Sequence, residues 1–294
     1  AKHQSGRRQH LPSSNMPATA MDRSFLFIGA GQMGTALIIG FINAGLVSAA
    51  QITVCDHNEN RRRYLKEKFP EIERLANLEE FIPECQHPLN VFICVKPDGF
   101  ITAVEPFQMF NKVTESVFVS IVAGITLQTM HYHIPAGSRI RVMPNTPCLV
   151  QSGASGVACH SKTRSEDIDL VMKLMSSVGR AVLMDESKMD AVTGLSGSGP
   201  AYVFTFIDAL ADGGVACGLT RESALLLSAQ TVMGAAKMVL ETGRHPGQLK
   251  DSVASPAGTT IAGLMSLEES AFRSAASKAV VAATNRAREL SAIR

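Results

Sequence analysis

A chain of 294 residues that is 46% hydrophobic and 18% charged can bury a sizeable core, and its length fits two domains. The formal net charge of +2 is small, and Lys and Arg are scattered apart from Arg61-Arg62-Arg63, so no basic face suited to nucleic acid stands out. Six cysteines without a CxxC pair exclude a disulfide framework and a structural zinc site as expectations, and they suit a reducing compartment.

Residues 1–22 carry basic and polar side chains without helical or strand periodicity, and are expected to form a disordered tail or a targeting remnant. The first element is Phe25-Leu26-Phe27-Ile28, a short apolar run bounded by Gly29, as a buried parallel strand would be. An apolar helical pattern from Thr35 to Ala44 follows, and Gly29-x-Gly31-x-x-Gly34 joins the two. In such a loop Gly29 permits the tight turn, Gly31 lets a pyrophosphate approach the backbone, and Gly34 lets the helix pack on its strand. The helix N-terminus then faces the phosphates. The best apolar stretch, "ALIIGFINAGLV", is broken by Asn43 and glycines and falls short of a membrane span, so a soluble chain without a membrane partner is expected.

A second strand, "QITVCD", ends at Asp56, about twenty residues beyond the glycines, where an acid reads the ribose 2′-OH of NAD. Asn58 and Arg61 to Arg63 point the other way, to a 2′-phosphate, and the choice between NADH and NADPH stays open. Further strands are expected at "NVFICV" (90–95), "SVFVSIV" (116–122) and "RIRVM" (139–143). Ligands bind beyond the carboxyl ends of such strands, which brings in Val95, Lys96 and Pro97, Ala123 and Gly124, and Asn145 between Pro144 and Pro147. His131 and His133 have no acid or thiol beside them and are taken as loop residues, with no metal expected. The runs "ASGVAC" and "GRAVLM" flank a helix over 165–177 and extend the sheet, and the dinucleotide-binding domain is placed at 23–184.

From 185 to 294 the sequence turns Ala-, Gly- and Leu-rich with helical periodicity and no strand alternation. Helices apolar over so much of their surface need more cover than about a hundred residues provide, which implies a helical dimer interface. In "SPAGTT" a turn runs into a helix N-terminus, whose unpaired N–H groups and dipole suit a carboxylate. Gly258 allows close approach, and Ser255, Thr259 and Thr260 add hydroxyls.

The motifs "VTGLSGSGPAY" (192–202) and "HPGQLKDSVASPAGTTIAGLMSLE" (245–268), with "FIGAGQMG", "VKP" and "MPNTP", resemble the signatures of Δ1-pyrroline-5-carboxylate reductases from Phe25 to Leu290. The resemblance implies an α/β fold, with an N-terminal Rossmann-type doubly wound, mostly parallel sheet and a C-terminal all-α dimerisation domain. It also implies reduction of pyrroline-5-carboxylate to L-proline by NADPH or NADH, in a homo-oligomer built as a pentamer of dimers. Cofactor contacts are expected from Ile28, Gly29, Ala30, Gly31, Gln32, Met33 and Gly34, and from Asp56, Asn58, Val95, Lys96, Pro97, Ala123 and Asn145, with Asn77 at the nicotinamide ribose. Ser255 and the backbone of Thr259 and Thr260 would hold the substrate carboxylate where Gly258 lets it approach, Glu186 would stand near the substrate, and the Thr260 hydroxyl, the catalytic candidate, would bond the ring nitrogen. "GLSGSG" would start a helix packed beneath the site, with close approach at Gly197 and Gly199, while Ser252 stands where the family carries asparagine. A cytoplasmic location is expected, with mitochondria as the alternative. Two rival readings are a dinucleotide-binding redox sensor without catalysis and another two-domain dehydrogenase or imine reductase. The dehydrogenase would need a basic residue in the second domain, where Lys237, Lys250, Lys278 and His245 lack a site context.

Overall fold

The computed structural model describes residues 23–79, 81–85 and 87–292; the expected N-terminal tail lies outside them. Short runs of apolar residues become strands buried along their length: β1 Ser24–Ile28, β2 Ile52–Cys55, β4 Leu89–Ile93 and β5 Val117–Ser120. With β3 Glu73–Leu75, β6 Ser138–Met143, β7 Gly153–Cys159 and β8 Gly179–Leu183 they form one sheet in the order β3-β2-β1-β4-β5-β6-β7-β8. All neighbours pair in parallel except β6 with β7, whose antiparallel register joins Arg141 to Ala158.

Parallel pairing demands crossovers, and these cover both faces. On one face lie α1 Gln32–Asn43, α2 Glu59–Lys68 and α6 Ser165–Ser177, over a core in which Phe27 stacks on Phe92 at 4.9 Å and Phe41 meets Phe92 edge-on. On the other lie α3 Phe81–Glu84, α4 Phe100–Val104 and α5 Leu127–His133, over Leu26, Phe107 and Phe118. The short edge strand β3 and the reversal at β7 are additions to the expected sheet, and α1 starts at Gln32 rather than Thr35. His131 and His133 are not loop residues. Both lie in the last turn of α5, where His131 stacks on His160.

After β8 the chain is helical: α7 Met189–Val192, a π-helical turn Thr193–Gly197, α8 Gly199–Ala216, α9 Arg221–Thr242, α10 Pro246–Val253, α11 Thr259–Glu269 and α12 Phe272–Ala292. The π turn is a departure from the simple helix start expected at "GLSGSG". Its glycine of closest approach is Gly194, where a Cβ would stand 2.2 Å from Thr284 Oγ1 of α12, whereas Gly199 faces open space. Although Ser228, Gln230 and Lys237 interrupt its apolar run, α9 is long and apolar enough to cross a membrane by length and composition alone, with a mean hydropathy of 1.4 over its most apolar window. Of the 18 residues of α8 only Ala211 is buried, α9 buries only Ala224 and Ser228, and α11 buries none.

Candidate active site

The loop after β1 is built from its glycines. Gly29 sits at φ +98°, and a Cβ there would lie 2.7 Å from the Cys94 carbonyl oxygen; one at Gly34 would lie 2.3 Å from the Gly29 oxygen. Both positions therefore exclude any side chain. Gly31 is different, because a Cβ there meets nothing within 4 Å. It caps α1 without a side-chain acceptor, and no acid stands in the first turn. The exposed Gln32 and half-buried Met33 thus begin a helix whose first N–H groups face a space left open by Gly31, a cradle that fits a pyrophosphate.

Ala30, following Ile28 and Gly29, donates its N–H to Asp56 Oδ2 at 2.7 Å. Asp56 Oδ1 accepts from Asn58 N at 2.8 Å, and Arg61 Nη1 lies 3.4 Å from Oδ2. Burial raises the Asp56 pKa, but these donors more than offset it and hold the carboxyl below the usual range. Its side chain is only 2% exposed. Asp56 is thus tied to the glycine loop at the position where the ribose reader is expected. The Asn58 side chain likewise serves α2, accepting from Asn60 N and Arg61 N as its cap.

Four other predicted positions follow neighbouring parallel strands and share one rim of the sheet with the glycine loop: Val95, Lys96 and Pro97 after β4, and Ala123 after β5. Lys96 and Ala123 are exposed there. Asn77 follows β3, on the far side of β1 from β4 and β5, in a cleft of about 400 Å³ with Arg74 and Phe81. Asn77 therefore stands apart from the rim formed by the loops after β4 and β5. Asn145 turns inward. Its Nδ2 donates to the Ser196 carbonyl at 2.9 Å and its Oδ1 accepts from Ala154 N at 2.9 Å, which ties the end of β6 to β7 and to the π turn. The thiols behind the rim are not nucleophiles: burial raises the Cys94 pKa far above the usual value, and burial with the charge of Asp56 pushes Cys55 up to about 11.

The "SPAGTT" turn is closed by a Gly258 N–H bond to the Ser255 carbonyl at 3.1 Å. Ala257 takes the left-handed conformation at φ +55°, and a Cβ on Gly258 would stand 2.2 Å from Ser255 Oγ. Gly258 caps α11 without a side-chain acceptor, and the first turn holds no acid, so the N–H groups of Thr259 and Thr260 end in an unneutralised positive dipole end. Ser255 and Thr259 are exposed. The hydroxyl of Ser252 is bonded to the Leu249 carbonyl within α10.

Glu186 does not join this turn. Its Oε1 accepts from the Leu127 N–H at 2.6 Å and from Arg141 at 3.2 Å. Arg141 also approaches Asp190 of α7, which accepts from Ser291 of α12. Glu186 therefore fastens the loop after β5 to the root of the helical half. The contribution of Asn145, Glu186 and Arg141 as clamps was not visible from spacing, because each partner is distant in sequence. Among the described residues no group of three metal-ligating side chains occurs.

Comparison with known proteins bears on both halves. A family model described as pyrroline-5-carboxylate reductase dimerisation matches residues 186–290, and one described as NADP oxidoreductase, coenzyme F420-dependent, matches 24–124. The pyrroline-5-carboxylate reductase of Methanosarcina acetivorans is 44% identical over 266 residues, covering 90% of this chain and 96% of that one. The structure of the Coxiella burnetii enzyme of that name superposes with a TM-score of 0.83 at 32% identity, over 92% of this chain and 98% of that one. The Plasmodium falciparum pyrroline carboxylate reductase, solved with NADP bound, gives 0.80 at 30% identity over 92% and 99%. With an open glycine cradle on its sheet and an uncapped helix N-terminus behind the Ser255–Gly258 turn, the chain belongs to the pyrroline-5-carboxylate reductase family.

Proposed function

We propose that this protein reduces Δ1-pyrroline-5-carboxylate to L-proline with NADPH or NADH, the last step of proline biosynthesis. The observation that carries the reading is the uncapped N-terminus of α11 behind the Ser255–Gly258 turn, in a chain that also holds an open glycine cradle. The N–H groups of Thr259 and Thr260 and the Ser255 hydroxyl take the substrate carboxylate, and the Thr260 hydroxyl takes the ring nitrogen. The bound nicotinamide supplies the hydride. The protonated imine carries its own activation, and when its carbon is reduced the π electrons pass to nitrogen, which keeps its proton. The residues therefore position and polarise, and alignment alone can supply on the order of 7–11 kcal/mol.

The site is divided between copies in this reading. The helical half meets the sheet through Glu186, α7 and the π turn, while the 255–260 turn is mostly solvent-facing within one chain. A second copy, seated on the exposed Phe204, Leu226 and Leu240, brings the turn of one protomer to the cofactor rim of the other. The same surface, rather than lipid, accounts for the apolar α9. The reading extends to a pentamer of dimers, which the family resemblance implies, and to a cytoplasmic setting, supported by six free cysteines. Initial rates of NADPH and NADH oxidation with pyrroline-5-carboxylate test the activity. Turnover with either is expected, and tight dinucleotide binding without turnover would overturn it.

A further inference from the structure

β6 buries two arginines on the α5 side of the sheet, and only one of them is paired. Arg141 meets the carboxylates of Glu186 and Asp190. Arg139, two residues earlier and so on the same face, is 7% exposed, and among the described residues no carboxylate lies within ion-pair distance of it. Its Nε donates to the Ile134 carbonyl at 3.3 Å, at the end of α5, while Nη1 and Nη2 have no partner among the described residues. Burial lowers the Arg139 pKa, with no acid to offset it. A guanidinium is seldom buried unless paired, and a buried charge without a partner is costly.

Two imidazoles complete this corner. Ile140 pairs with Cys159, so Arg139 stands across from His160, whose N–H donates to the Arg139 carbonyl at 3.3 Å. Opposite residues of an antiparallel pair share a face. His160 is half-buried, and its ring stacks on that of exposed His131 of α5 with centroids 5.8 Å apart. The Lys162 N–H donates to His160 Nδ1 at 3.2 Å, so the neutral ring carries its proton on Nε2 as a further donor. Nearby acids are engaged elsewhere: Glu166 and Asp167 with Arg164, and Glu115 with Lys112. The corner lies at the start of β6, at the opposite end of the sheet from the cofactor rim.

We propose that Arg139, His160 and His131 form a binding site for a phosphate-type oxyanion, separate from the dinucleotide and substrate sites. Donors contributed by β6, β7 and α5 suit a tetrahedral group with several acceptor oxygens better than a planar carboxylate with two. The anion supplies the counter-charge that Arg139 lacks, and the exposure of His131 leaves the corner open to solvent.

The test is calorimetric titration of the full chain, preloaded with NADP⁺ or NAD⁺ to fill the glycine cradle, with inorganic phosphate and with glycerol 3-phosphate at constant ionic strength. Wild-type protein should bind phosphate, and Arg139→Met should weaken that binding at least about tenfold, the size of one hydrogen bond to a charged group. Phosphate should raise the thermal unfolding midpoint of wild type and not that of Arg139→Met. Without phosphate the variant should melt at or above wild type, because an apolar chain replaces an unpaired buried charge. His160→Gln leaves Arg139 in place, should weaken phosphate severalfold, and decides the matter if Arg139→Met does not fold. Tighter binding of the ester assigns the site to a phosphorylated metabolite and tighter binding of the free ion to inorganic phosphate, and either supports the site. Undetectable phosphate binding by wild type, or unchanged affinity in the variant that folds, would overturn it. So would an Arg139→Met midpoint that falls equally with and without phosphate, which would make Arg139 a structural cap of α5.

Discussion

A methyl group at Gly31 would project into open space, whereas one at Gly34 would press on the Gly29 carbonyl, so one type of substitution has two outcomes in one loop. Gly31→Val should leave the thermal unfolding midpoint near wild type yet abolish dinucleotide binding, because its bulk falls where the pyrophosphate approaches. Gly34→Val should lower the midpoint through overpacking, by about 1–3 kcal/mol of stability or more. For Thr260→Val, loss of one hydrogen bond to a charged group at roughly 1.5–3 kcal/mol lowers kcat/KM by about tenfold to a hundredfold, read in steady-state rates. Asp56 gives a pH signature. Its pKa is depressed in the fold, so its stabilisation is complete above the ordinary carboxylate pKa and is lost as pH falls through the folded value. The advantage of wild type over Asp56→Asn in urea unfolding should be full at pH 7 and shrink in acid below about pH 4. The sequence placed Asp56 at the right strand end, and nothing in the spacing told that this buried acid would also be tied to its own loop through Ala30 and Asn58. The partners of Glu186 were not legible for the complementary reason: Leu127 and Arg141 come together with it only through the sheet.

Among elements, the strands were legible because burial on both faces leaves apolar runs that announce themselves. The missed strand β3 has no such run. Its Glu73 and Arg74 are exposed, and it is held by pairing to β2 and by a Thr53 hydroxyl bond to Glu73 at 2.9 Å. α5 carried a signal that went unused, the Thr126 side chain accepting from Thr129 N as an N-cap in front of "LQTMHYH". The π turn at Thr193–Gly197 follows from contact rather than propensity, because Gly194 must fit against Thr284 and Ser196 must present its carbonyl to Asn145. π turns recur at functional sites, and this one lies between the sheet and the dimer helices. Asn145→Ala strips partners from Ser196 O and Ala154 N together, and should cost about 1–3 kcal/mol in chemical denaturation.

For the molecule as a whole, the helical half is stable only as part of something larger, since α8, α9 and α11 between them bury three residues in one chain. Phe204→Glu with Leu226→Glu should shift the protein to monomer in light scattering and lower its turnover together with its mass. An unchanged mass would place the interface elsewhere. The sheet ends tell a different story about the two flanks. At β3 the edge is three residues long and charged, which discourages any further strand from joining. At β8 the edge is five residues long and leaves Val182 and Leu183 half exposed, with only β7 paired on its inner side. Growth of amyloid-like or amorphous precipitate from heated protein therefore has a polarity built into the fold: it starts from the β8 flank, and a single lysine at Val182 would act as a gatekeeper there.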